Sequence, residues 1–169
     1  MKFKLEPQAG YDPKIGELVT FMETMRGMTL ADLEGITQEE LDRRPPGGNA
    51  IGALLEHLAA IEYVHQIITF EERDPKPEDL NDWQTGLMLG DAQEKLRGKS
   101  LQDYLQQLED MRSVTFRELQ RKRDSWLYTE GEWEVGIPFN YYYLWMHVVE
   151  DEISHRGQIR MMRRELAQR

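Results

Sequence analysis

Four histidines occur in this chain, and they fall in just two segments: His57 and His65 in one, His147 and His155 in the other. Asp151 stands between the second pair, four residues from each. Positions i and i+4 share one face of a helix. Asp151 and His155 can therefore present a carboxylate and an imidazole to a single ion. A third ligand from a neighbouring helix would complete three protein ligands and leave positions open for water or substrate. Two nitrogens and one carboxylate suit zinc, nickel, iron or manganese, and the order of intrinsic affinities does not choose among them. A metal-free arrangement fits the same residues: Asp151 and His155 as a buried pair, with His57 hydrogen-bonded nearby. His65 taken alone reads as a core or rim histidine. His147 can be a support, an alternative ligand or a bystander.

These groups need rigid elements to hold them, and the apolar spacing predicts helices. Asp12-Pro13 opens the first, an N-cap with proline at the first helical position; Ile15, Leu18, Val19, Met22, Met25 and Leu30 form its inward stripe. Thr37-Gln-Glu-Glu40 has the pattern of a capping box, but Pro45 and Pro46 limit it to a short connector. Asn49 caps a second long helix reaching about Glu72, with Ile51, Leu54, Leu55, Leu58, Ile61, Val64, His65 and Ile68 inward and His57 on the flank. Residues 75–99 form a long connection with one short helix near Leu80–Met88. Ser100-Leu-Gln-Asp103 caps a third long helix running to about Arg123, with Leu101, Tyr104, Leu105, Leu108, Met111, Thr115 and Leu119 inward.

After an aromatic loop containing Trp126, Tyr128 and Trp133, a fourth long helix spans about Asn140–Ala167. Its stripe is Leu144, Val148, Ile159, Met162 and Leu166, and Asp151 and His155 lie in the middle of it. His147 and Gln158 border it. A carboxylate and an imidazole aimed into a core cost several kcal/mol, on the order of 3–5, unless something satisfies them. Arg160, Arg163 and Arg164 suit the negative end of this helix, and Arg156 reads as reaching a partner helix or an anion at the mouth. The Trp and Tyr residues of 126–145 read as core and loop anchors, and the carboxylates outside the stripe as mostly a solvated face. The expectation is an all-α four-helix bundle, antiparallel in type, with long interhelical connections and one domain over residues 1–169. Connections 34–48 and 73–99 have room for crossovers.

Composition narrows the function. With no cysteine among 169 residues, a disulfide scaffold, a Cys-zinc site and a cysteine nucleophile are all excluded. Twenty-one basic against 31 acidic residues leave a net charge of −10, which argues against nucleic acid as a partner. No apolar run approaches the ~20 residues of a membrane span, and Met1–Gly10 lacks a secretory apolar stretch, so the expected location is cytoplasmic.

The stretch His147-Val-Val-Glu-Asp-Glu-Ile-Ser-His155-Arg-Gly-Gln158-Ile159 resembles the last helix of the DinB/YfiT-like superfamily, whose hallmark is a histidine four residues before a His-Arg-Gly-Gln-like sequence. Asn49-Ala-Ile-Gly-Ala-Leu-Leu-Glu-His57-Leu resembles its second helix, which ends in the remaining ligand histidine. The resemblance covers the chain in helix order and implies a four-helix bundle, often a homodimer, holding a divalent ion. Carried over by position, the ligands are His57, Asp151 and His155. Asp151 departs from the commonest pattern, which has histidine there; relatives of the mycothiol-dependent isomerase branch carry an acidic residue at that turn. Zinc or nickel is expected first, with iron or manganese as alternatives.

The resemblance further implies a transferase joining a low-molecular-weight thiol, such as bacillithiol or mycothiol, to an electrophile. Without a cysteine of its own, the chain must receive the sulfur as a small molecule. His65, His147 and Gln158 are then candidates for supporting the ligands or orienting the substrate. Two alternatives remain beside it: a metal-dependent hydrolase, and a non-catalytic dimeric stress or binding protein with a vestigial site.

Overall fold

The computed structural model describes residues 4–133 and 136–167, without the side chains of 91, 92, 166 and 167. Its helices are α1 (Pro13–Asp32), α2 (Gln38–Asp42), α3 (Ile51–Phe70), α4 (Gln84–Met88), α5 (Leu101–Leu119) and α6 (Tyr141–Ala167). Short 3-10 turns at Pro77–Leu80, Gly90–Leu96 and Asp124–Tyr128 fill the connections. The expected helix near Leu80–Met88 is thus a 3-10 turn followed by the short α4. The aromatic loop also carries a small hairpin, β1 (Glu130–Glu132) against β2 (Pro138–Asn140), antiparallel with Gly131 opposite Phe139.

Local chemistry accounts for most of the helix starts. Thr37 and Glu40 exchange bonds in a capping box at α2, and Ser100 and Asp103 do the same at α5. Two expected caps work differently. Asp12 occupies the N-cap position of α1 but its side chain makes no capping bond there; the backbone N–H groups of Lys14 and Ile15 donate instead to Asp124, at 3.1 and 3.0 Å. Asp12 returns the favour by accepting from the Asp124 N–H at 3.0 Å. Two chain segments therefore cap each other. At α3 the N-cap is Ala50, whose N–H donates to Gln93 at 2.5 Å, while Asn49 accepts from the Gln93 amide at 3.2 Å.

Contacts between helix ends define the topology. The Lys14 ammonium lies over the Tyr142 ring at the start of both helices, and Arg163 donates to the Asp32 carbonyl at 2.6 Å at their ends, so α1 and α6 run parallel. Gly52 faces Tyr104, and Gln66 donates to the Met111 carbonyl at 2.8 Å, so α3 and α5 are parallel too. His57 meets His155 while His65 meets His147, which makes α3 antiparallel to α6. The order is up-down-down-up rather than antiparallel throughout. Two parallel helices consecutive along the bundle need a chain return along their full length, which is why residues 71–100 are long. A β-carbon at Gly52 would lie 2.6 Å from the Tyr104 hydroxyl, so the α3–α5 approach requires glycine there.

The core divides into a cluster around Ile15, Leu18, Met22, Leu119, Leu144 and Trp145 and a second around Leu33, Ile51, Leu54, Leu55, Leu108 and Ile159. Leu30, expected inward, is exposed; the place of Leu166 lies outside the described side chains. α3 is covered on nearly every side because α4, α5 and α6 all pack on it, so its buried surface is far wider than a single stripe.

The mostly solvated carboxylates have exceptions in the core. Glu62 is fully buried, and Glu152 and Glu56 nearly so, rather than solvated. Arg26 of α1 donates to Glu152 of α6 at 2.8 Å, and Arg112 of α5 donates to Glu62 of α3 at 2.8 Å. Arg26–Glu62 at 3.6 Å and Arg112–Glu152 at 3.3 Å close the ring. Two negative and two positive charges thus neutralise one another where the four long helices meet. Ionised side chains tolerate burial only with such partners.

Candidate metal centre

Asp151 and His155 project from α6 toward α3, as their spacing predicts, and His57 meets them from the opposite wall. His57 Nε2 lies 3.6 Å from Asp151 Oδ2, and His155 Nε2 lies 4.0 Å from Asp151 Oδ1. The two imidazoles stand edge to face with centroids 5.0 Å apart. One ligand atom from each of the three residues falls within 4.8 Å of the others. With bonds of ~2.0 Å in a tetrahedral shell, two ligand atoms sit roughly 3.3 Å apart. The His57–Asp151 gap is already close to that, and small side-chain rotations close the rest.

Two polar atoms favour an ion between them. Asp151 Oδ2 is buried with no hydrogen-bond partner, and an acceptor-only carboxylate oxygen left that way is costly. His57 donates its Nδ1–H to the Gly86 carbonyl at 2.9 Å, which in the neutral ring leaves Nε2 as a bare lone pair facing Asp151. At 3.6 Å the approach of His57 Nε2 to Asp151 is too long for a hydrogen bond. The donor set, two imidazole nitrogens and a carboxylate oxygen, suits a divalent first-row ion.

Electrostatics keep the carboxylate ionised. Burial works to raise the Asp151 pKa, but His57, His147 and His155 around it outweigh that and hold it below its ordinary value. Burial lowers the His155 pKa, and the neighbouring His57 adds to the effect. For His57 burial acts downward, yet Asp151 and the Gly86 carbonyl win and the pKa is raised.

The other expected residues divide. His147 Nε2 lies 4.0 Å from Asp151 Oδ2, half-buried at the edge of the site. His65 is deep in the core: it donates Nδ1–H to the Ile61 carbonyl at 2.8 Å and stacks on His147 with centroids 5.4 Å apart. Burial pulls its pKa down to about 4, so the ring is neutral. Gln158 is exposed and meets the site only as a polar neighbour of His155. Arg156 does reach a partner helix, lying 3.9 Å from Asp32 at the end of α1. Arg163 donates to the Asp32 carbonyl at the end of α1 and to the Glu34 carbonyl just beyond it. Trp126 and Trp145 are anchors, both stacked on Phe70.

Two sets of residues are silent or faint in the sequence pattern. Gly86 acts through its backbone, which leaves no trace in side-chain pattern. Arg26 and Arg112 did leave one: each sits four residues after an inward apolar residue, Met22 and Leu108, just as Asp151 interrupts the stripe of α6.

A family model described as mycothiol S-transferase matches residues 17–168. Among solved structures, a crystal structure of a Streptococcus pneumoniae protein, a structural-genomics target, superposes with a TM-score of 0.66. The two are 14% identical, with 89% of this chain and 90% of that chain covered, a likeness of fold. No curated protein matches the chain. Among the described residues, no helix is long and apolar enough to cross a membrane.

Proposed function

This chain belongs to the mycothiol S-transferase family, and on that premise we propose that it joins a low-molecular-weight thiol to an electrophile at a divalent metal held by His57, Asp151 and His155. The observation that carries the proposal is the convergence of three ligand atoms within 4.8 Å around a buried carboxylate oxygen with no other partner. A divalent ion bound there would neutralise the negative charge that develops on a thiol sulfur near neutral pH.

The chain's own residues do the rest. With no cysteine present, the sulfur arrives with the small thiol. The reaction forms a carbon–sulfur bond, breaks the bond from carbon to its leaving group, and releases the thiol proton. In this reading His147, half-buried beside Asp151, takes that proton. His65, held neutral by burial, backs the His147 ring by stacking, and the exposed Tyr143 flanks it on the solvent side.

The test combines metal analysis of protein purified without an affinity tag with turnover of a chlorinated or epoxide-like electrophile. Activity should require both metal and a small thiol such as mycothiol. Equal turnover without thiol would replace this reading with metal-dependent hydrolysis. Protein that takes up no divalent ion would remove its basis.

A further inference from the structure

The residues 71–100 that return the chain from α3 to α5 are clamped on α3 on both sides of His57. At the N-terminal side, Gln93 accepts from the Ala50 N–H at 2.5 Å. Beside His57, the buried Glu56 is gripped by Lys99 at 2.6 Å, and beyond His57 Trp83 stacks on Tyr63 with centroids 5.2 Å apart. Between these clamps, α4 lies so close on α3 that a β-carbon at Gly86 would fall 2.9 Å from Glu56 Cγ and 3.0 Å from the Glu56 carbonyl oxygen. Two of the three nearest atoms are backbone and cannot swing aside. Only glycine allows the Gly86 carbonyl to come within 2.9 Å of His57 Nδ1.

We propose that Gly86 is a positioning residue for this centre: its carbonyl holds the His57 ring in the Nδ1–H tautomer and aims the bare Nε2 at Asp151. The inference rests on the metal reading for its purpose but not for its geometry. A ligand imidazole whose other nitrogen donates to a carbonyl is oriented in advance and is a more basic donor, and loss of such a partner typically weakens metal binding about 10–100-fold. The crossover is then part of the site: a segment that holds no ligand sets the direction of one. Gly86→Ala must lift α4 away from α3 by a few tenths of an ångström, and the 2.9 Å bond lengthens first.

The experiment uses full-length, metal-free protein with labelled histidine nitrogens and carbonyl carbons, at a pH where His57 is neutral. Nuclear magnetic resonance of the wild type should show His57 protonated on Nδ1, with scalar coupling across the hydrogen bond to the Gly86 carbonyl carbon. Gly86→Ala should lose the coupling and the single tautomer and bind zinc about tenfold more weakly or worse. Met88→Ala, on the exposed side of the same short helix, should match the wild type in both readouts. An Nε2–H tautomer in the wild type would overturn the proposal. So would a Gly86→Ala variant with wild-type tautomer and zinc affinity. If Gly86→Ala does not fold, the wild-type tautomer and coupling decide the matter alone. A wild type with the expected tautomer that binds no zinc would defeat the metal reading and leave the positioning of the ring intact.

Discussion

Arg26 Nε lies 2.8 Å from Glu152 Oε1, and Glu152 is the residue immediately after Asp151. A contact from α1 thereby fixes the rotation of α6 that turns Asp151 toward His57. Glu152→Ala would leave Arg26 and Arg112 facing each other in a buried space with one carboxylate between them. The expected loss is about 3–5 kcal/mol of unfolding free energy, measured by denaturant titration. Glu150→Ala, two residues earlier and exposed, should change stability by less than about 0.5 kcal/mol. Equal effects of the two would mean the ring does not hold the bundle.

Asp151 separates a ligand from a mere ion-pair partner. Asp151→Ala should weaken zinc or nickel binding by an order of magnitude or more, since a three-ligand site loses much with one ligand. Asp151→His keeps a ligand at the position and supplies a softer one, so zinc or nickel should raise its melting temperature. A variant that loses stability and is not restored by any divalent ion would show that the carboxylate serves only to balance the imidazoles.

The buried His65 predicts a pH dependence with a definite sign. Its pKa is about 4 in the fold against an ordinary value of 6.5, so the unfolded chain takes up a proton that the fold refuses. Stability carried by neutral His65 is complete above pH 6.5, is lost as pH falls toward 4, and changes no further below that. The span corresponds to roughly 3 kcal/mol. His65→Phe should flatten the stability profile across this window relative to the wild type. Parallel profiles for the two proteins would contradict it.

The exchanged caps are testable as a pair. Asp124→Ala strips the N-terminus of α1 of its acceptor and should cost about 1–2 kcal/mol, although the residue lies over a hundred positions away. Because the Asp12 carboxylate holds the Asp124 backbone N–H and so steadies the segment that carries the capping carboxylate, the double replacement should cost less than the sum of the single ones. Strict additivity would show that the two caps act independently.

What could be read from the chain alone follows the range of the forces involved. The capping boxes at Thr37 and Ser100 close within four residues, and both are present. Asp151 and His155 were legible because one turn of helix suffices to put both on the inward face. The neighbours of Asp12 mark it as a cap, but the side chain that caps α1 is that of Asp124, which only the folded chain brings near. Glu62 and Glu152 looked solvated because their neutralising arginines belong to other helices. The parallel pairing of α1 with α6 and of α3 with α5 is set by which stripes find each other, and no single stripe carries that information.

His57 and Asp151 are separated by 94 positions along the chain, on the second and the last of the four long helices to be made. A growing polypeptide can finish α1, α3 and α5 while the pocket still lacks two of its three metal-coordinating candidates. Only when α6 emerges and docks can an ion be captured. On the metal reading, loading therefore waits for α6, and a product truncated before that helix would hold His57 alone, too little to sequester an ion.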